Sequence, residues 1–100
     1  YFINKKFRKG YIAMSKFLYT IYDIKAQVHN NPMVQNNNAE AMRTFAQLAN
    51  DEKTFINKHP EDYQLCLVGE WDEYTGDIIT KKQLEVLAMA SDFRENNNEN

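Results

Sequence analysis

The side chains that could perform acid–base, nucleophilic or metal chemistry are concentrated in one stretch of the sequence. They are His59, Glu61, Asp62, Cys66, Asp72 and Glu73, with His29 further upstream. The spacing of the histidines and the cysteine matches no compact zinc motif, so no metal site is predicted. Each acidic pair is adjacent in sequence and falls in a predicted turn, where solvated carboxylates are more common than catalytic ones.

Cys66 and His59 could in principle serve as a nucleophile and its base. Cys66, however, lies between aliphatic neighbours in the middle of a predicted strand, which is typical of a small, half-buried thiol. The chain has three glycines and no glycine-rich phosphate loop, so no nucleotide cofactor is predicted. We therefore expect no catalytic residue, no cofactor and no metal, and interpret the protein as a non-enzyme. With one cysteine, no intrachain disulfide can form, which suits a reducing cytoplasm.

Three segments of regular structure are predicted to position these residues. Residues 16–24 are β-branched, aromatic or aliphatic with little helical period, and indicate a first strand that is apolar on both faces. Residues 37–49 form an amphipathic helix that Asn37 caps, with Glu40 in its first turn. Residues 63–71 alternate strictly between apolar and polar side chains, as a half-buried strand does. The polar stretch between the first strand and the helix is predicted to be a loop.

The C-terminal third begins with a hairpin and is predicted to end in a helix. Gly76 takes the left-handed position of the hairpin loop, and residues 77–80 return as a third strand. Residues 84–93 place apolar side chains near one face of a short C-terminal helix, and residues 94–100 form a disordered tail.

The fold class is therefore α+β, in a single small domain at residues 14–93. A three-stranded sheet, formed by the first strand and the hairpin, carries the main helix on one face. Parallel and antiparallel pairing of the first two strands both fit the sequence. The predicted core residues share inward positions on these elements and are Phe17, Tyr19, Ile21, Met42, Phe45, Leu65, Leu67 and Trp71.

Charge is distributed unevenly along the chain. Residues 1–13 hold four basic side chains and no acidic one, whereas the remainder holds eight basic and fourteen acidic side chains. We interpret residues 1–13 as an untranslated leader read as protein, because Met14 is the first methionine; the alternative is a disordered basic arm. An acidic domain is a poor candidate for binding the phosphate backbone of nucleic acid.

The order of these signals resembles a known family. The segments "YTIYDIKA", "AEAMRTFAQLAND" and "NKHPEDYQLCLVGEWDEYTG" are similar to the small nonstructural protein of gokushovirus-type microviruses, the tailless single-stranded DNA phages. The resemblance covers residues 14–76 and is weak after Thr80. It implies a protein of the infected bacterial cytoplasm that is absent from the mature virion. It also implies a part in single-stranded DNA synthesis or in coupling that synthesis to genome packaging.

We therefore predict a phage accessory protein that acts through viral or host replication and packaging proteins. The alternative is a module that binds single-stranded DNA directly. The residues predicted to form the interaction surface are Tyr22, Asp23, Lys25, Arg43 and Tyr74. We also predict a homodimer, because the second apolar face of the first strand, with Leu18, Tyr22 and Ile24, requires a cover.

Overall fold

The computed structural model describes residues 16–95, which form one antiparallel sheet and one main helix. The strands are β1 (Lys16–Asp23), β2 (Val28–His29), β3 (Met33–Gln35), β4 (Tyr63–Trp71) and β5 (Ile78–Met89). The helices are α1 (Asn38–Asn50) and the short α2 (Phe55–Lys58), and 3₁₀ turns cover Pro60–Asp62 and Ala90–Asp92. The predicted α+β class with one main helix is confirmed. The predictions for residues 1–13 and for most of the 94–100 tail fall outside the described residues.

The sheet has five strands instead of the predicted three, and every pairing is antiparallel. Strand β1 lies inside the sheet, with β4 on one of its edges and both β2 and β3 on the other. Strand β5 pairs with β4 and is the outermost strand on that side. Of the two arrangements open for β1 and β4, the antiparallel one is observed.

The two additional strands come from the polar stretch that was predicted to be a loop. Met33 of β3 packs against the core, and Val34 pairs with Leu18 of β1. Next to β2, the Asn30 side chain accepts a hydrogen bond from the Ile21 backbone N–H at 2.8 Å. Strands of two and three residues are too short to show an alternating pattern, so the sequence alone did not indicate them.

Helix α1 begins at the predicted cap. The Asn37 side chain accepts a hydrogen bond from the Glu40 N–H at 2.9 Å. The Glu40 carboxylate accepts from the side-chain amide of Asn36 at 3.1 Å. The buried side of the helix is made of residues four apart, namely Ala41, Phe45 and Ala49. No helix in the described part of the chain has the length and hydrophobicity needed to span a membrane.

Replacing the cap residue tests how far α1 depends on it. Asn37→Ala is expected to lower the free energy of unfolding by about 1 kcal/mol, because a backbone donor in the first turn loses its acceptor. Asn37→Ser is the matched control and should stay near the wild type, since a serine oxygen also caps. Urea denaturation followed by circular dichroism measures both, and equal losses in the two variants would contradict a capping role.

The core lies between α1 and one side of the sheet, which we call the helix face. Its large buried side chains are Tyr19, Ile21, Phe45, Leu65 and Leu67, all of them predicted. Phe17 and Met42 are partly buried and pack against this cluster. The Tyr19 hydroxyl donates to the Asn38 side-chain oxygen at 2.7 Å, which ties β1 to the first turn of α1.

Trp71 was predicted to be a core residue, but it lies on the side of the sheet away from α1. A β-bulge shifts the register of β4 against β1, so that Tyr19 pairs with Leu67 but Leu18 pairs with Gly69. Beyond the bulge, Trp71 pairs with Lys16. Residues paired across an antiparallel ladder share a face, and Lys16 faces away from the helix. The prediction that Trp71 points inward with Leu65 and Leu67 is therefore wrong.

The predicted C-terminal helix at residues 84–93 is also wrong, because this segment continues the third strand. Strand β5 extends over twelve residues to Met89, and its last part pairs with Gln64, Leu65, Cys66 and Leu67 of β4. The helical spacing of its apolar residues coincides with a second pattern, the alternation of Leu84 and Val86. Pairing with β4 favours the strand, which shows tertiary context deciding between two local patterns.

Candidate functional site

Cys66 lies in the centre of the sheet, between Thr20 of β1 and Val86 of β5. Its side chain is 1% exposed, and burial raises the pKa of the thiol. Both effects keep the sulfur in its unreactive neutral form and away from solvent. His59, at the end of α2, is exposed, and its backbone N–H donates to the Phe55 carbonyl at 2.9 Å.

Thiol labelling measures how well the sheet protects Cys66. In the native protein, we expect iodoacetamide to react at least about 100-fold more slowly than in urea, because reaction requires the sheet to open. The raised pKa adds to this protection by reducing the thiolate fraction at neutral pH. Rapid labelling of the folded protein would contradict a buried, structural thiol and would favour a reactive one.

The two acidic pairs take part in turns. The backbone carbonyl of Asp62 accepts from the Ile24 N–H at 2.8 Å, which joins the 3₁₀ turn to the end of β1. The Asp72 carboxylate accepts from the Tyr74 N–H at 2.9 Å inside the hairpin loop. Within residues 16–95, no three His, Cys, Asp or Glu side chains converge in a way that could hold a metal ion.

Tyr22, the first of the predicted interaction residues, belongs to a polar cluster at the β1–β2 pairing. Its ring packs against His29 with 4.5 Å between ring centroids. Nδ1 of His29 shares a hydrogen bond of 2.7 Å with the Thr20 hydroxyl. The cluster fastens β2 to β1, and it leaves the Tyr22 ring half-buried on the sheet side opposite α1.

Asp23 is the last residue of β1, and Lys25 lies in the tight turn that follows it. One Asp23 carboxylate oxygen accepts from the N–H groups of Lys25 and Ala26, each at 3.0 Å. The same turn holds Gln27 in the left-handed region, with φ of 61°. Tyr63 of β4 pairs with Asp23 across the ladder. Burial is the main cause that raises the pKa of Tyr63, and the charge of Asp23 and a side-chain hydrogen bond with Asp23 raise it further.

The five predicted interaction residues do not form one surface. Tyr22, Asp23 and Lys25 lie together at the end of β1 that pairs with the start of β4. Tyr74 lies in the hairpin loop at the far end of β4, so the nine residues of that strand, at about 3.3 Å each, separate the two groups by about 30 Å. Arg43 is exposed on α1, in the other layer.

Comparison with known proteins identifies the family. The family model described as "Phage ORF5 protein" matches residues 16–93. The chain belongs to the phage ORF5 protein family. The predicted phage origin is thereby supported, and the match extends through β5, well beyond the stretch in which the sequence resemblance was strong. No curated protein and no solved structure shows a significant match.

The sheet of this phage ORF5 family protein carries a surface that the sequence analysis did not predict as a whole. We call it the second face, meaning the side of the sheet away from α1. Its members follow from the strand register and alternation, and the main accessible apolar ones are Leu18, Tyr22, Val34, Trp71, Ile78, Leu84 and Val86. Thr20 and Cys66, which pair in the middle of this face, are buried. The sequence predicted Leu18 and Tyr22 from β1 and a strand at residues 77–80, but it missed the contribution of the second half of β5, because residues 84–93 were predicted to be a helix.

Proposed function

We propose that this phage ORF5 family protein is a non-enzymatic accessory protein that supports viral single-stranded DNA synthesis, or its coupling to genome packaging. In this proposal it acts in the host bacterial cytoplasm, outside the mature virion, by binding viral or host replication and packaging proteins. The observation that carries it is the family match over residues 16–93. The role in DNA synthesis follows from the resemblance to the small nonstructural proteins of gokushovirus-type microviruses.

The structural roles of the reactive side chains support a function without a chemical step. Cys66 is buried in the central strand, and Asp23 organises the turn after β1. His29 is bonded to Thr20, and Asp72 organises the hairpin loop. A catalytic group must reach its substrate with the right protonation state, whereas these groups bond to their own backbone and neighbours.

The charge of the described residues favours protein partners over DNA. Residues 16–95 contain eight basic and thirteen acidic side chains, a formal charge of −5. Affinity for single-stranded DNA draws on release of counterions from phosphates by lysine and arginine, and an acidic surface opposes it. Two of the aromatic side chains, Tyr19 and Phe45, are fully buried and so cannot stack on bases.

Direct binding to DNA can be measured in isolation. We expect the protein to bind a fluorescent single-stranded oligonucleotide with a dissociation constant weaker than about 10 µM at physiological salt, because its charge opposes association. Fluorescence anisotropy is the measurement, and a variant lacking residues 1–13 separates the basic N-terminal segment from the domain. Submicromolar binding by that variant, lost steeply as salt is added, would support the alternative of a DNA-binding module.

The proposed role is tested in infected cells with a phage whose copy of this gene is disrupted. We expect double-stranded replicative DNA to accumulate normally and single-stranded genomes to fall at least about tenfold, since the proposed step lies after duplication of the genome. Supplying the wild-type gene from a plasmid should restore the genomes, and supplying Cys66→Ser should restore them equally. Normal single-stranded DNA and progeny in the disrupted phage would contradict the proposal. So would the failure of a Cys66→Ser variant that folds normally by circular dichroism and thermal melting.

A further inference from the structure

The second face differs from the rest of this acidic protein in its charge. The strands hold three carboxylates that the register or alternation places on the helix face, namely Asp23, Glu70 and Glu85. No paired strand residue that faces the other way is acidic, and one of these residues is Lys16. Glu73, from the hairpin loop, lies 3.8 Å from Lys16 at the rim of the face.

The same face exposes large apolar side chains. Val34, Ile78, Leu84 and Val86 are four of the nine exposed large hydrophobic residues of the described chain, and they lie on the two outer strands β3 and β5. Contiguous exposed apolar surface on a small protein marks an interaction site more often than it marks ordinary surface. The half-buried Leu18 and Trp71 connect the exposed residues across the sheet.

The core on the helix side has few fully buried large side chains. Within the described residues it contains five large buried apolar side chains and three buried alanines, and nine partly buried apolar side chains pack around them. A domain of about 80 residues buries a modest fraction of its surface and commonly gains stability from a partner subunit. The second face is the surface on which such a gain is available.

We propose that the second face is the contact surface of a homodimer, in which a second copy of the chain packs sheet against sheet. Two copies of a protein with a charge of −5 over residues 16–95 repel each other, and the repulsion is weakest where both present no strand carboxylate. A two-fold contact of this kind is isologous, so each copy supplies the same apolar residues. The proposal does not depend on a role in DNA synthesis.

The size of the face fits such a contact. Four strands lie side by side across it, and β1 and β4 are eight and nine residues long. With about 4.8 Å between strands and about 3.3 Å per residue, the face covers about 500 Å² in plan, before side-chain relief is added. This is of the same order as the about 800 Å² per partner of a standard stable interface.

The structure leaves the face of β1, and not its edge, for the predicted contact. That strand is paired on both sides and therefore offers no free edge. Ile24, predicted to join Leu18 and Tyr22, lies in the turn after the strand. Residues 78–89 form a strand of the sheet itself, so they extend the second face and do not cover it.

Two variants on one strand test the proposal in the full chain. Val86 is 48% exposed on the second face, and Ile79 is 45% exposed on the helix face, so the pair is matched in strand and exposure. By light scattering coupled to size exclusion at micromolar concentration, the wild type should have twice the chain mass of 11.8 kDa. Val86→Lys should weaken the dimer at least about 100-fold, because the contact would bury the lysine charge without a carboxylate partner, while Ile79→Lys should stay within about threefold.

Circular dichroism of both variants confirms that the fold is kept, and Leu84→Lys serves as a second probe of the same face. A monomeric wild type would overturn the proposal and would leave residues 1–15 or a different protein as the cover. Dimers that survive both Val86→Lys and Leu84→Lys would overturn it as well. So would a dimer that Ile79→Lys breaks while the second-face variants leave it intact.

Discussion

Replacing Phe45 with alanine is expected to lower the free energy of unfolding by about 3–5 kcal/mol, the range for a fully buried aromatic ring. Phe45 is completely buried at the centre of the interface between α1 and the helix face. Its ring also meets that of Phe93 edge to face, with 6.1 Å between centroids, and so connects the helix to the segment after β5.

Phe55→Ala is the matched control for that prediction. Phe55 is 72% exposed at the first position of α2, so its loss should change the free energy of unfolding by no more than about 0.5 kcal/mol. Urea denaturation followed by circular dichroism compares the two variants. If Phe45→Ala costs less than about 1 kcal/mol, or if both variants lose the same amount, the core is not where α1 meets the sheet.

The parts of the fold that could be predicted are those whose local signals agree with their final environment. The cap at Asn37 and the apolar positions at Phe45 and Ala49 specify α1 without reference to the rest of the chain. Strand β1 is rich in β-branched and aromatic residues, the first part of β4 alternates between apolar and polar residues, and both strands lie inside the sheet. Gly76 was predicted from the hairpin signal, and its φ of 80° confirms the left-handed position.

The parts that could not be predicted depend on pairing between distant residues. Leu84 and Leu87 fit a helix as well as a strand, and the pairing of this segment with β4 decides between them. The short strands β2 and β3 are likewise defined by β1, because their own sequence is that of a polar loop. The position of Trp71 depends on a bulge, and a bulge reverses the alternation of every residue that follows it.

The candidate surfaces could likewise be predicted only where they depend on local sequence and not on pairing between distant residues. The local role of Asp23 in its turn is suggested by its position at the end of a strand, since aspartate commonly bonds to nearby backbone N–H groups. Whether Tyr22, Arg43 and Tyr74 come together is a question of topology, and the strand order separates them. The absence of carboxylates from the second face within the described strands becomes visible once the register is known, because Glu70 and Trp71 exchange sides at the bulge.

Gly69 is the residue at which this bulge can be tested, and Gly69→Ala is expected to lower the free energy of unfolding by about 1–3 kcal/mol. A Cβ built there would lie 2.5 Å from the carbonyl oxygen of Ile79 and 3.2 Å from the Cα of Thr80. Both atoms belong to the backbone of β5, so a change of rotamer cannot relieve the contact. We expect the loss to lie near the upper end of that range, because β4 and β5 must separate to admit a single methyl group.

Gly76, seven residues further along the same hairpin, provides the contrast. A Cβ there would meet no atom within 4 Å, but its φ of 80° is a conformation that alanine adopts poorly. Asparagine tolerates that conformation, so Gly76→Asn should recover most of what Gly76→Ala loses. At Gly69 the obstacle is space and not backbone conformation, so Gly69→Asn should be no more stable than Gly69→Ala. Thermal or urea unfolding of the four variants separates the two causes, and a rescue by asparagine at Gly69 would show that β5 does not approach β4 as closely as the bulge requires.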